Sequence, residues 1–342
     1  MANVHACVGE IIRFAGLTER NSLTCGNIPA RFRPPPTSLV DAGINGRAMS
    51  GEASGELDCR RLSCVDRSLL IEARLQAHHA LQWLARVARA YVAPQPDDGH
   101  TSLRWENGLD CFTTQQLRDE TQLSLQLATL TLVLRERKGA AHIASLSLAG
   151  RTGAQARQWL GEHLGKRGLD ARALDAPAPY EIPAHAVDRG ASYEPAKSAD
   201  ALLELAAWYA NAQVSLDRVK EQMIGSKFSV SPVCCWPHHF DLATLTTFPM
   251  QNADTIGSVG AGFSPGDEYY DEPYFYVSVY PEPDPAMLPT LPAMGHWHTH
   301  KFSAAIKPAH KILADKDRAT GTDEFLQGTV ALALRILSVA SK

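Results

Sequence analysis

Between Ser198 and Met223 the apolar residues fall at Leu202, Leu205, Tyr209, Ala212, Leu216, Val219 and Met223, in alternating steps of three and four. Only an α-helix gathers that spacing onto one face. Ser198 stands where an N-cap belongs and Gly225 where a C-terminal stop belongs. A helix with one apolar stripe must bury it against another layer. The rest of the chain therefore has to supply a partner surface, and the short alternating runs on either side of this helix supply one.

A second helix is predicted over Ser68–Ala93. Ala77, Leu81, Leu84, Ala88 and Tyr91 form its stripe, and Pro94 and Pro96 stop it. His78 falls on the opposite, solvated face with Arg74, Gln82 and Arg89. Strands are expected over His100–Gly108, which ends in the turn pair Asn107-Gly108, and over Asp110–Thr114. Leu123, Leu125 and Leu127 alternate with polar residues as in a half-buried strand. Ala128–Arg135 continues as β structure, and Lys138-Gly139 turns the chain into Ala141–Leu148. A short helix from Thr152 to Arg167 turns Ala156, Leu160 and Leu164 inward and stops at Gly168. After the proline-spaced connector Asp175–Pro183 and the long helix, strands start near Val233, Phe240, Ser258 and Tyr274. A last helix starts near Asp323 and carries Leu326, Val330, Ala333 and Leu337.

This order predicts an α+β fold of antiparallel sheet with packed helices. Helix, strands and helix occur twice, with Trp105 and Trp236 similarly placed, so 68–168 and 198–342 read as halves of a pseudo-duplication. Residues 1–66 differ from the rest of the chain. Arg33-Pro-Pro-Pro36 blocks helix and central strand alike, and the Gly/Ser-rich run 42–55 has no apolar period. They are expected to be a disordered or loosely attached extension, with 67–342 as a single α+β domain.

Composition removes several function classes. A net charge of −4 over 342 residues provides no basic stripe for nucleic acid. No run reaches 18 apolar residues, so no membrane span is expected, and no signal peptide is visible at Met1–Val8. Seven cysteines at irregular spacing, including Cys59, Cys64, Cys234 and Cys235, fit reduced thiols and a cytoplasmic location. Nucleophile elbow, dinucleotide fingerprint and phosphate loop are all missing.

Chemistry concentrates between Ser231 and His300. His239 and Asp241 share one strand face, and His296, His298 and His300 share another if Gly295–His300 is extended. Imidazoles and a carboxylate suit zinc or non-haem iron, so His239, Asp241, His296, His298 and His300 are the candidate metal ligands. Equally, Trp236, Pro237 and Phe240 can make the His238-His239 pair an ordinary packed core feature. Gly260-Ala-Gly-Phe-Ser-Pro-Gly266 reads as a tight loop after a strand, and Asp267, Glu268, Asp271 and Glu272 as an acidic rim. Tyr274, Tyr276 and Tyr280 fall on one strand face and Phe275, Val277 and Val279 on the other, so the core lies behind and a tyrosine surface in front.

Several motifs together resemble a known family: Leu81-Gln-Trp-Leu, Phe112-Thr-Thr, Ser231-Pro-Val, Trp236, Phe240-Asp-Leu-Ala243, Gly262-Phe-x-Pro-Gly266, Glu272-Pro-x-Phe-Tyr276, Tyr280-Pro-Glu-Pro283 and Phe325-Leu-Gln327. The family is an uncharacterised bacterial one of cytoplasmic proteins, classed as a domain of unknown function. The resemblance runs from about Leu69 to the C-terminus and implies a fold neighbourhood without a reaction. Two functions stay open. One is a small-molecule-binding protein, or a metal-dependent hydrolase or oxygenase, with a cleft lined by Trp236, His238, His239, Asp241, Tyr274 and Tyr276. The other is a non-catalytic interaction module that docks a protein on the tyrosine-faced sheet.

Overall fold

The computed structural model describes residues 62, 66–95, 98–136, 142–224, 228–250 and 256–340, the last three as backbone only. The expected extension 1–66 (save 62 and 66), Cys59, Cys64, Pro96, the Lys138-Gly139 turn and the Gly225 stop lie outside the described residues.

Helix α1 (Arg67–Tyr91) starts at Asp66, whose side chain accepts from the Ser68 amide at 2.8 Å. Ala77, Leu81, Leu84, Ala88 and Tyr91 are all buried, as the stripe requires. His78 is buried too, against the expectation of a solvated face. The reason is that α1 is covered on both sides, and the segment before Phe240 closes over the face that the periodicity left free.

The first sheet is an antiparallel meander of β1 (Arg104–Glu106), β2 (Cys111–Thr113), β3 (Thr121–Gln126), β4 (Thr131–Glu136) and β5 (His142–Ser147), in that order. Its register lines up Trp105, Phe112, Leu125, Leu132 and Leu146 in one row across all five strands. That row, with Leu123 and Leu134 beside it, is the sheet's contribution to the core. The expected strand over Ala128–Arg135 starts late, because Leu127–Thr129 forms a 3₁₀ turn and Leu130 adopts a positive φ. Helix α2 (Gly153–Gly165) follows. Thr152 and Gln155 satisfy each other's backbone amides in a capping box, and Ala156, Leu160 and Leu164 are buried.

Helix α3 (Ala199–Met223) carries the seven-residue stripe, and all seven positions are buried. Ser198 makes no side-chain cap. A 3₁₀ turn over Pro195–Ser198 leads directly into the helix and leaves that hydroxyl buried. The second sheet contains β6 (Ser229–Val230), β7 (Cys234–Trp236), β8 (Asp241–Pro249), β9 (Ile256–Ser264), β10 (Tyr274–Tyr280), β11 (His296–His298) and β12 (Ala304–Pro308). Its order is β11-β12-β10-β9-β8-β6, with β7 also on β8. Pro232 separates β6 from β7. The Ser231 hydroxyl bridges this gap by accepting from the Leu245 amide at 2.8 Å.

Behind this sheet, Trp208 of α3 stacks on Phe263 at 6.1 Å. Its neighbour Tyr209 touches Trp105 and Phe112 of the first sheet as well as Phe240 and Phe263 of the second. The sheets are also stitched edge to edge, since Leu103 and Cys235 exchange backbone hydrogen bonds of 2.9 and 2.7 Å. Helices α4 (Ala309–Ala314) and α5 (Arg318–Ala340) close the back of the second sheet. Asp323 lies inside α5 rather than at its start, where it pairs with Arg218 of α3. Leu326, Val330, Ala333 and Leu337 are buried as expected.

The fold is therefore α+β, with two antiparallel sheets and packed helices. Helix, strands and helix do occur twice, but the two sheets differ in strand number and strand order, and a duplication is not established. Among the described residues no helix is long and apolar enough to cross a membrane, and Cys111, Cys234 and Cys235 are free thiols.

Candidate functional site

The front of the second sheet, away from α3 and α5, is built by strand alternation. One row runs Cys234, Ala243, Gly262, Tyr276, Ile306 and His296 across six strands. Beside it, Leu245, Gly260, Ser278, Ala304 and His298 form a second row. Phe275, Val277 and Val279 point the other way into the core, so the expected division of β10 holds.

Gly262 is the gap in this face. A Cβ there would overlap the ring of Tyr276, which lies across the glycine. The Tyr276 hydroxyl can therefore reach past β9 and donate to Oδ2 of Asp241 on β8. Asp241 is 6% exposed, and its other oxygen, Oδ1, is buried with no hydrogen-bond partner in another described residue. Burial raises the Asp241 carboxyl to about 6 despite the hydrogen bond from Tyr276. Half-buried Trp236 pairs with it from β7, and Tyr276 is half-buried too.

The loop before Asp241 is held from α1 and from the connector. His78 Nε2 and Gln82 Nε2 both donate to the Pro237 carbonyl, at 2.9 and 2.8 Å, and the Tyr180 hydroxyl donates to Gln82 Oε1 at 2.9 Å. The His78 ring stacks on Phe240, and the His238 and His239 rings lie 4.0 Å apart. Burial depresses all three imidazoles, His78 to about 3, His238 to about 4 and His239 well below its ordinary value. They are neutral at pH 7. Arg74, also on α1, packs across Gly266 with Nη1 3.5 Å from the Pro265 carbonyl. Burial lowers its pKa, and Asp267 and Asp271 partly offset that.

At the opposite flank, the Tyr270 hydroxyl lies 3.0 Å from His296 Nε2 and 3.0 Å from His298 Nδ1. His298 Nε2 lies 2.8 Å from the His300 carbonyl. Between the flanks, the Tyr274 hydroxyl donates to Asp267 Oδ2 at 2.6 Å, and the Tyr274 ring sits 5.0 Å from that of Tyr270 and 6.3 Å from that of Tyr276. Tyr274, Ala304 and Ile306 form a small apolar cluster of their own beneath Tyr270, Tyr276 and Phe302.

A profile described as a family of unknown function, DUF5996, matches residues 72–337, well over half of the chain. The chain belongs to DUF5996. No curated protein and no solved structure matches it. The DUF5996 span starts inside α1 and ends inside α5, so it includes both flanks of the front face.

In this DUF5996 chain the six expected cleft residues fall into linked pairs. Trp236 and His238 have rings 6.3 Å apart, His238 touches His239, Asp241 bonds Tyr276, and Tyr276 neighbours Tyr274. The five expected metal ligands divide. Asp241 opens β8, but His239 lies in the turn before it, where Phe240 has a positive φ, so the two do not share a strand face as expected. His296 and His298 stand on β11, four strand steps of about 4.8 Å from β8. His300 lies past the end of β11, exposed, with its ring beside Tyr269. Among the described residues no three His, Cys, Asp or Glu side chains gather to hold a metal ion. Reading the sequence missed Arg74 and the role of Tyr270. Tyr270 lies in a loop where no period marks it, and the only signal was its place in a tyrosine-rich run.

A small space of about 10 Å³ behind the sheet lies among Trp208, Phe275 and Ile312, with apolar walls. It is too small for a ligand.

Proposed function

We propose that this chain binds a small polar molecule against the front of the second sheet, with Asp241 as its anchor. The buried Oδ1 of Asp241, without a hydrogen-bond partner in another described residue, carries this reading. A buried acceptor left unpaired costs about 1–3 kcal/mol, and a ligand hydroxyl or ammonium group would recover that cost. A carboxyl poised at about 6 can also take or give a proton near neutral pH, which suits general acid–base chemistry on whatever is held there. In this reading Trp236, His238, His239, Tyr274 and Tyr276 line the place that the ligand takes. The reading of the tyrosine face as a protein-docking module has less support, since the hydroxyls of Tyr270, Tyr274 and Tyr276 are spent on side chains of the same face.

The test is a panel of small amines, polyols and hydroxy acids, read by thermal shift and ligand-observed NMR on the full chain. Compounds that stabilise the wild type should lose that effect with Asp241→Asn and bind at least tenfold more weakly with Tyr276→Phe. Compounds that bind equally well to Asp241→Asn would sink the proposal.

A further inference from the structure

We infer that Tyr270, His296 and His298 form a binding site for a divalent transition-metal ion, with copper(II) as the best-fitting probe. This site is independent of the Asp241 reading and lies on the other flank of the sheet.

The hydrogen bonding fixes where the lone pairs point. The His300 carbonyl can only accept, so His298 Nε2 carries the hydrogen and, in the neutral ring, Nδ1 offers its lone pair to Tyr270. The Tyr270 hydroxyl donates to that nitrogen, which leaves its oxygen to accept from His296 Nε2. A histidine whose second nitrogen donates to a backbone carbonyl has the ring orientation that metal-binding histidines share. Strand alternation puts His296 and His298 on the same face of β11. Tyr270 then faces both nitrogens from the adjoining loop.

The spacing suits one ion. Two ligands bound at about 2.0–2.1 Å stand about 3 Å apart when the angle between them is near a right angle. Tyr270 Oη is 3.0 Å from each nitrogen. Right-angled nitrogen and oxygen donors favour tetragonal copper(II) over the tetrahedral arrangement of structural zinc. The third ligand is a phenol, which is why the set lies outside the His, Cys, Asp and Glu groupings.

Binding replaces the two shared hydrogens. The hydrogen on His296 Nε2 moves to Nδ1 of the same ring, and the phenol proton is released to solvent. One proton therefore leaves per ion bound, without any change of oxidation state. Affinity should rise with pH as that phenol proton is displaced.

The experiment is a copper(II) titration of the full-length protein, followed by visible absorbance and by proton release in unbuffered solution. One equivalent should bind, with a phenolate-to-copper charge-transfer band and one proton released. Tyr270→Phe, which keeps the ring packing, should lose the band and bind at least tenfold more weakly. His298→Ala should lose stoichiometric binding, with circular dichroism to check that it is folded. A folded wild type that binds no stoichiometric copper would overturn the site. So would a band and affinity unchanged in Tyr270→Phe.

Discussion

Asp241 and Gly262 are the residues on which the front face depends. Asp241 has a folded pKa of about 6 against an ordinary 3.8. A carboxyl raised on folding binds protons more readily in the native state, so its stabilising effect is complete below about pH 3.8 and is lost as pH rises through 6. Unfolding free energies of wild type and Asp241→Asn, compared from pH 4 to pH 7, should therefore diverge against the wild type by about 2 kcal/mol. That slope is independent of any constant offset between the two proteins. A flat difference across the window would mean that burial does not favour the protonated form of Asp241. Gly262→Val should be worse than an ordinary surface change, because its side chain occupies the place of the Tyr276 ring. Overpacking of this kind costs about 1–3 kcal/mol, and tyrosine fluorescence or NMR should show Tyr276 displaced from Asp241.

At the scale of elements, α1 and the segment Trp236–Phe240 form one unit through the Pro237 carbonyl. His78 is held neutral, with its pKa pushed down to about 3. A depressed histidine contributes stability that is present at pH 7 and lost as pH falls from about 6.5 towards 3. Amide exchange in Trp236–Phe240 and in the middle of α1 should accelerate over that range, and His78→Gln should lessen the acceleration. Equal acid sensitivity in the variant would move the cause elsewhere, for example to His238 or His239. The same helix shows what was legible in the chain. Every stripe residue named for α1 and α3 is buried, since three- and four-residue steps are a local property of the backbone. The burial of His78 was not legible, because it depends on a segment about 160 residues away. The strand positions of Asp241 and Tyr276 were legible. Their diagonal bond was not, because it requires the register that puts Gly262 between them. Asp323 was misplaced as a helix start because an acidic residue suits an N-terminus and an interhelical ion pair equally well in sequence.

For the whole molecule, the decisive residue is Tyr209, fully buried and in ring contact with both sheets. Tyr209→Ala should cost about 3–5 kcal/mol and lower the midpoint of a single transition seen by every probe. Pieces ending near residue 195, or beginning there, should not give dispersed NMR spectra, since the first would expose the sheet surface that α3 covers and the second the face of α3 that packs on the first sheet. A folded piece would show instead that the two sheets are separate domains. The stitch between Leu103 and Cys235 has a further consequence during synthesis. The row from Trp105 to Leu146 leaves the ribosome well before Tyr209, and Cys235 later still. At ~5–20 residues per second, the first sheet waits on the order of ten seconds for the helix that covers it and the strand that closes its edge. Over that interval the nascent chain presents an uncovered aromatic ridge and an open β edge, which are the features that chaperones shield from aggregation.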